Sequence, residues 1–271
     1  MPATVTASGA AADTTPTLAM LRISGADARR FLQGQLSNDM DLLSTDRLLC
    51  AGLHNPQGRV LALLWLTARS GDEIFALLPA ELAAAAANAL RRFVLRAKVN
   101  IEVVPVSALI AALPGAPAAT AAARAQAIAN GQPQIYAASS GQFIAQMLNL
   151  DCLGAISFTK GCYTGQEVIA RAHYRGRVKR RMQRFATSDA LPPTPGASLH
   201  LADGRTAQLV DSTTLPDGTH EFLAVAPLPA AGTTATSSNT PDTPDASAAT
   251  ASSDAVLISA VPLPLPYTLP Q

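Results

Sequence analysis

Two apolar runs, residues 48–53 and 60–66, face each other across Asn55-Pro56-Gln57-Gly58, and this arrangement constrains the fold more than any other stretch. Proline and glycine between two strand-like runs predict a hairpin. Around it, residues 18–23 read as a short strand. Ser24-Gly25 then introduces an amphipathic helix carrying Ala28, Phe31, Leu32, Gln35 and Leu36 at helical spacing. Residues 74–78 give another strand, Pro79 opens an alanine-rich helix over about 80–92, and 97–103 alternate as a strand should. Strands and helices interleaved in this way predict an α+β fold.

The later chain is less uniform. Residues 106–130 are dominated by alanine, which says little about which face is buried, and a surface helix is the expectation there. Short strands at 208–211 and 221–226 alternate with Pro/Gly turns and predict a small C-terminal β-barrel. Residues 230–252, mostly Ser, Thr, Ala, Pro and Asp, cannot repay their ordering entropy and are expected to form a disordered insertion. The apolar stretch 255–267 then returns to the fold.

Charge and cysteine usage narrow the function classes. A net charge of +1 gives no global field for nucleic acid or an anionic membrane, so any such attraction must be local. Residues 1–17 carry no Lys or Arg and read as a loose leader. The longest strongly apolar run, 60–66, is too short to cross a bilayer, so a cytoplasmic protein without membrane contact is expected. Cys50, Cys152 and Cys162 form no CxxC pair and are expected as reduced thiols. The four histidines are scattered, and HExxH, GxSxG, Walker and GxGxxG patterns do not occur, so no metal site, acyl hydrolysis or nucleotide chemistry is expected.

One window is chemically dense. Lys160, Arg171, Arg175, Arg177, Lys179, Arg180, Arg181 and Arg184 are opposed only by Glu167. Such a basic island suits an anionic ligand, a glutamate tail, a phosphate or a tRNA backbone; a solvated strand and turn is the plainer alternative. Gly161 and Gly165 bracket Cys162, Tyr163 and Thr164, which predicts an exposed Cys162 on a sharply turning backbone. Nearby Lys160 and Arg171 would favour its thiolate, although a lone cysteine is more often an inert buried hydrophobe. Cys50 and Cys152 lie in apolar contexts and read as inert.

The string Lys160-Gly161-Cys162-Tyr163-Thr164-Gly165-Gln166-Glu167, continuing through Val168-Ile169-Ala170-Arg171 to Gly176, resembles the signature of the folate-binding YgfZ/GcvT-like family. Residues 31–39, 93–101, 143–151, 154–158 and 261–267 resemble further parts of that family's pattern, with Ala145 and Ala155 as departures. The resemblance implies three subdomains, 18–105, 106–184 and 185–271, in a ring around a central channel holding tetrahydrofolate. It implies a cytoplasmic, monomeric accessory protein for iron-sulfur cluster assembly or repair, indirectly supporting tRNA-modifying and other iron-sulfur enzymes, with no classical turnover. Cys162 falls on the signature cysteine. Gln146, Asn149, Lys160, Gly161, Tyr163, Gly165, Gln166, Glu167 and Arg171 are the folate contacts expected with it, and residues 171–184 could add a weak tRNA contact. The rival is the aminomethyltransferase that shares the fold. Its pattern has two aspartates after the hairpin glycine, where this chain has Ala62 and Leu63, neither able to move a proton.

Overall fold

The computed structural model describes residues 17–106, 120–176, 178–191, 194–228 and 256–270. Most of the expected leader, much of the alanine-rich stretch, Arg177 and the whole of the 230–252 insertion therefore lie outside the described residues. Among the described residues no helix is long and apolar enough to cross a membrane.

The first half is an antiparallel five-stranded sheet built on the expected hairpin. Its strands are β1 (Leu18–Ser24), β2 (Leu49–His54), β3 (Val60–Ser70), β4 (Glu73–Pro79) and β5 (Asn100–Val104), in the order β2-β3-β4-β1-β5. Strand periodicity separates its faces. Leu21, Ile23, Leu64, Leu66, Ile74, Ala76 and Leu78 point into the main core. Met20, Phe75 and Leu77 form a smaller cluster with Trp65 and Val104 on the other side. Arg22, on that second face, bridges its neighbours through Glu73 at 2.7 Å and Glu102 at 3.4 Å.

Two helices cover the core face. Helix α1 (Ala28–Gln33) stops earlier than the periodicity suggested, because Leu36 leaves the helix to form a bridge with Leu53 of β2. Helix α2 (Ala80–Arg91) begins after Pro79 and buries Leu82, Ala83, Ala86, Ala87 and Leu90, one helical stripe. The strand expected over 97–103 forms at 100–104, since 92–99 are used to turn from the helix end.

Helix α3 (Ala121–Ala129) starts at Thr120, whose Oγ1 accepts from the Ala123 amide at 3.2 Å. Helix α4 (Gln166–Tyr174) follows the glycine-bracketed segment. The second sheet contains β6 (Arg180–Thr187), β7 (Ser198–Leu201), β8 (Thr206–Thr214), β9 (His220–Pro227), β10 (Val256–Ile258) and β11 (Val261–Leu263). Its order is β10-β7-β8-β9-β6-β11, so two strands adjacent in sequence occupy opposite edges. Three residue steps from Ile258 to Val261 span at most ~11 Å, whereas six flat strands would put the edges roughly 24 Å apart. The sheet must therefore curl, and it does so around Phe185, Leu199, Leu209, Phe222 and Ala224.

Its outer face joins the main core through Met182, Val210, Leu223 and Val225. A bulge between Leu209 and Asp211 changes which face the strand presents, turning Asp211 away from the inner cluster. There Asp211 accepts from Arg124 Nε and the Tyr136 hydroxyl, both at 2.9 Å, which fastens α3 to β8.

A second buried ion pair fastens the middle segment to β6. Arg181 reaches Asp151 through two parallel bonds at 3.0 and 2.9 Å and the Gln146 carbonyl at 3.1 Å. Asn149, the one described non-glycine residue with positive φ (56°), donates to the Met182 carbonyl at 2.8 Å. Removing one member of such a pair leaves a buried charge uncompensated and costs about 3–5 kcal/mol. Asp151→Ala should lower stability by that order in urea unfolding, while Asp151→Leu combined with Arg181→Met should recover most of the loss. A double variant no better than the single one would show that the pair's charge is not what the site requires.

Candidate functional site

The glycine-bracketed segment is held by a short loop after α1. Ser37 and Asn38 are buried there and join three parts of the chain. Ser37 Oγ donates to the Ala155 carbonyl at 2.7 Å and accepts from the Gly52 amide at 2.8 Å. Asn38 Nδ2 donates to the Cys50 and Gly154 carbonyls, each at 2.8 Å. Lys160 Nζ completes the stitch by donating to the Leu36 and Asn38 carbonyls at 2.8 and 2.7 Å, and it lies 5.3 Å from the centre of the Tyr163 ring. Partial burial pulls the Lys160 ammonium down to about 8, against the opposing pull of Asp39 and Asp41. Lys160 is thus committed to backbone carbonyls as a clamp on the segment.

Helix α4 then seats on the hairpin turn. Gly165 precedes it with φ +82°, and a Cβ there would lie 2.6 Å from the Asn55 carbonyl oxygen and 3.1 Å from Gly58 Cα. The close approach that requires glycine here is between two pieces of the protein's own backbone. Tyr163 is buried, which pushes its phenol up to about 12. Gln146 and Asn149 are also buried, and their amides bond inward: Gln146 Nε2 to the Ile169 carbonyl at 2.7 Å, Asn149 Nδ2 to Met182 and the Tyr267 hydroxyl. Asn149 also ends the short 3-10 helix Ala145–Leu148 in the left-handed conformation, the local cap that the sequence allowed, whereas Gln146 lies within that helix.

The remaining expected residues face outward. Gly161, Cys162, Glu167 and Arg171 are exposed and Gln166 is half-buried. The structure thus divides the expected contacts into an anchored set (Gln146, Asn149, Lys160, Tyr163, Gly165) and an accessible set beside Cys162. The basic island divides too. Arg181 is buried against Asp151, Arg184 pairs with Glu221 at 2.7 Å, and Arg180 donates to the Thr206 and Val225 carbonyls. Arg171, Arg175 and Lys179 remain exposed. Cys152, read from sequence as apolar, sits instead beside the Asp151–Arg181 pair, and burial with the Asp151 charge pushes its thiol up to about 11.

A cavity of about 180 Å³ opens between the first sheet and the middle segment, lined by Cys50, Leu63, Trp65, Gln132, Leu153 and Gly154 among others. Trp65 Nε1 is buried without a hydrogen-bond partner. None of these residues was singled out for ligand binding in the sequence. Trp65 is the chain's one tryptophan and stands in a strand, the signal that could have found it. Burial pushes the Cys50 thiol to about 12, which keeps it protonated.

His54 ends β2 beneath this assembly, 2% exposed, with both ring nitrogens unpartnered and its ring 6.4 Å from that of Tyr163. Desolvation lowers its pKa to about 4, so it is buried neutral. An unfolded histidine titrates near ~6.5 and binds the proton first as pH falls. The stability that His54 contributes is therefore complete above that value and lost progressively as pH drops through about 4. The loss should total roughly 3 kcal/mol. Urea unfolding between pH 7.5 and 4 should show a smaller acid loss for His54→Leu than for the parent; equal losses would mean that His54 is not the acid-sensitive group.

No family model matches the chain. Among solved structures it is similar to the glycine cleavage system aminomethyltransferase T from Bartonella henselae, with a TM-score of 0.58 and 15% sequence identity, covering 78% of this chain and 76% of that one. At that identity the likeness speaks for architecture, and it shows that this chain is built on the fold of the glycine-cleavage aminomethyltransferase.

Proposed function

We propose that this protein binds a reduced folate and serves iron-sulfur cluster assembly or repair through Cys162, rather than transferring an aminomethyl group. The observation that carries the choice lies in the hairpin. Ala62 and Leu63 follow Gly58 where the transferase pattern has aspartates, and both are 1% exposed in the core. A methyl and an isobutyl group cannot exchange protons with a folate nitrogen. The transferase reading is the alternative, since the fold is shared.

Tetrahydrofolate suits the cavity in two respects. Its walls are mostly apolar, and one of them is an aromatic plane, Trp65, against which a heterocycle can lie. At about 180 Å³ the space takes one ring system of the ligand, well short of the roughly 300–1,000 Å³ of sites that enclose a drug-sized molecule. The remainder would extend outward, where the exposed Gly161, Glu167 and Arg171 and the half-buried Gln166 offer polar contacts and Arg171 a cation for a carboxylate tail. Bound folate would supply one-carbon chemistry; the chain's own contribution is to orient it and exclude water from its ring.

Cys162 carries the accessory role in this reading. It is exposed, on a segment fixed by Lys160 on one side and Gly165 on the other, so its thiol is presented on a rigid support. A thiolate is a soft ligand suited to iron. Native protein treated briefly with iodoacetamide should be alkylated at Cys162 and protected at Cys50. Cells relying on Cys162→Ser should lose iron-sulfur enzyme activity as fully as cells without the protein, while Cys50→Ser behaves like the parent. Full rescue by soluble, folded Cys162→Ser would overturn the role of the thiol.

A further inference from the structure

The C-terminal end of α4 presents aromatic and cationic groups of which the folate reading uses only Arg171. His173 lies flat on Phe158, ring centres 3.8 Å apart and planes inclined by 17°. Tyr174 stands edge-on to both, at 4.8 Å from His173 and 6.1 Å from Phe158, and is 68% exposed. Arg171 and Tyr174 are spaced i, i+3 and so share one helix face, and Arg175 follows as the residue that ends the helix. Arg171, Arg175 and Lys179, four residues further along the chain, are exposed, and among the described residues no side-chain hydrogen bond or ion pair engages them. Cations near a helix C-terminus are favourable for the helix itself, but that gives no reason for a two-thirds exposed tyrosine braced by a pre-stacked aromatic pair.

We propose that this face is a stacking site for single-stranded RNA, with a base on Tyr174 and the backbone phosphates on Arg171, Arg175 and Lys179. Unconstrained cations beside an exposed aromatic platform are the two elements of such sites. The Phe158–His173 stack holds the tyrosine's flank in place, so little side-chain freedom is lost on binding. Glu167, one turn earlier and also exposed, limits the attraction at that end. A duplex keeps its bases paired and offers nothing to the ring, so the preference is for single strands. The site shares Arg171 with the folate reading but not Tyr174 or Arg175, so substitution of Tyr174 tests it apart from folate binding.

The test is fluorescence anisotropy with a labelled ten-nucleotide RNA of mixed sequence, repeated over a salt series. Saturable binding is expected, weakening as salt rises. Tyr174→Ala should weaken it by about five- to one-hundred-fold and Tyr174→Phe much less. Arg171→Gln with Arg175→Gln should reduce the log-log salt slope by about 1.4. Tyr174→Ala should leave the melting temperature and tetrahydrofolate titration unchanged, which separates the two readings. Equal binding of duplex RNA, equal binding by Tyr174→Ala, displacement by oligoglutamate at the same concentration as by RNA, or no binding at low salt would each overturn the proposal.

Discussion

Contact between two glycines sets the geometry of the site. Gly58 at the hairpin turn and Gly165 before α4 both have positive φ, and each stands where a side chain would strike the other element: Val168 in one direction, the Asn55 carbonyl in the other. Because neither has a Cβ, the helix start rests directly on the turn. The segment between Lys160 and Gly165 is then fixed at both ends, and Cys162 has only the outward direction left. The exposure of that thiol follows from packing beneath it.

The hairpin, β4, α2 and the strands at 206–214 and 220–227 were legible because their apolar spacing and turn residues agree. What local pattern cannot show is the partner of a side chain brought in from far along the chain. Arg181 and Arg175 look alike in sequence, yet Asp151 draws one into the core while the other stays in solvent. Gln146 and Asn149 look like ligand amides until the carbonyls of Ile169 and Met182 are placed beside them. The bulge that turns Asp211 toward Arg124 leaves no signature in the string around it. Ser37 and Asn38, which join the hairpin to the segment before Lys160, were hidden for the same reason.

The chemistry divides along the same line as the structure. Around the cavity the chain offers apolar walls, a protonated Cys50 and an indole ring. Outside, beside Cys162, it offers a thiol and cations in water. Ala62 and Leu63 of the hairpin are apolar and buried and cannot exchange protons. In the proposed function the cavity would hold the cofactor and the outer side would meet clients, with the clamp formed by Lys160, Leu36 and Asn38 between the two.

Trp65 is the chain's only tryptophan and it lines the cavity, so its emission reports on that space directly. Titration with tetrahydrofolate, corrected for ligand absorbance and paired with calorimetry on the same sample, is the most direct measurement of whether the cavity holds the cofactor. Saturable quenching of Trp65 with a matching heat, and loss of iodide access to the indole at saturation, is the expected result. Emission unchanged up to millimolar ligand with no heat of binding would contradict it.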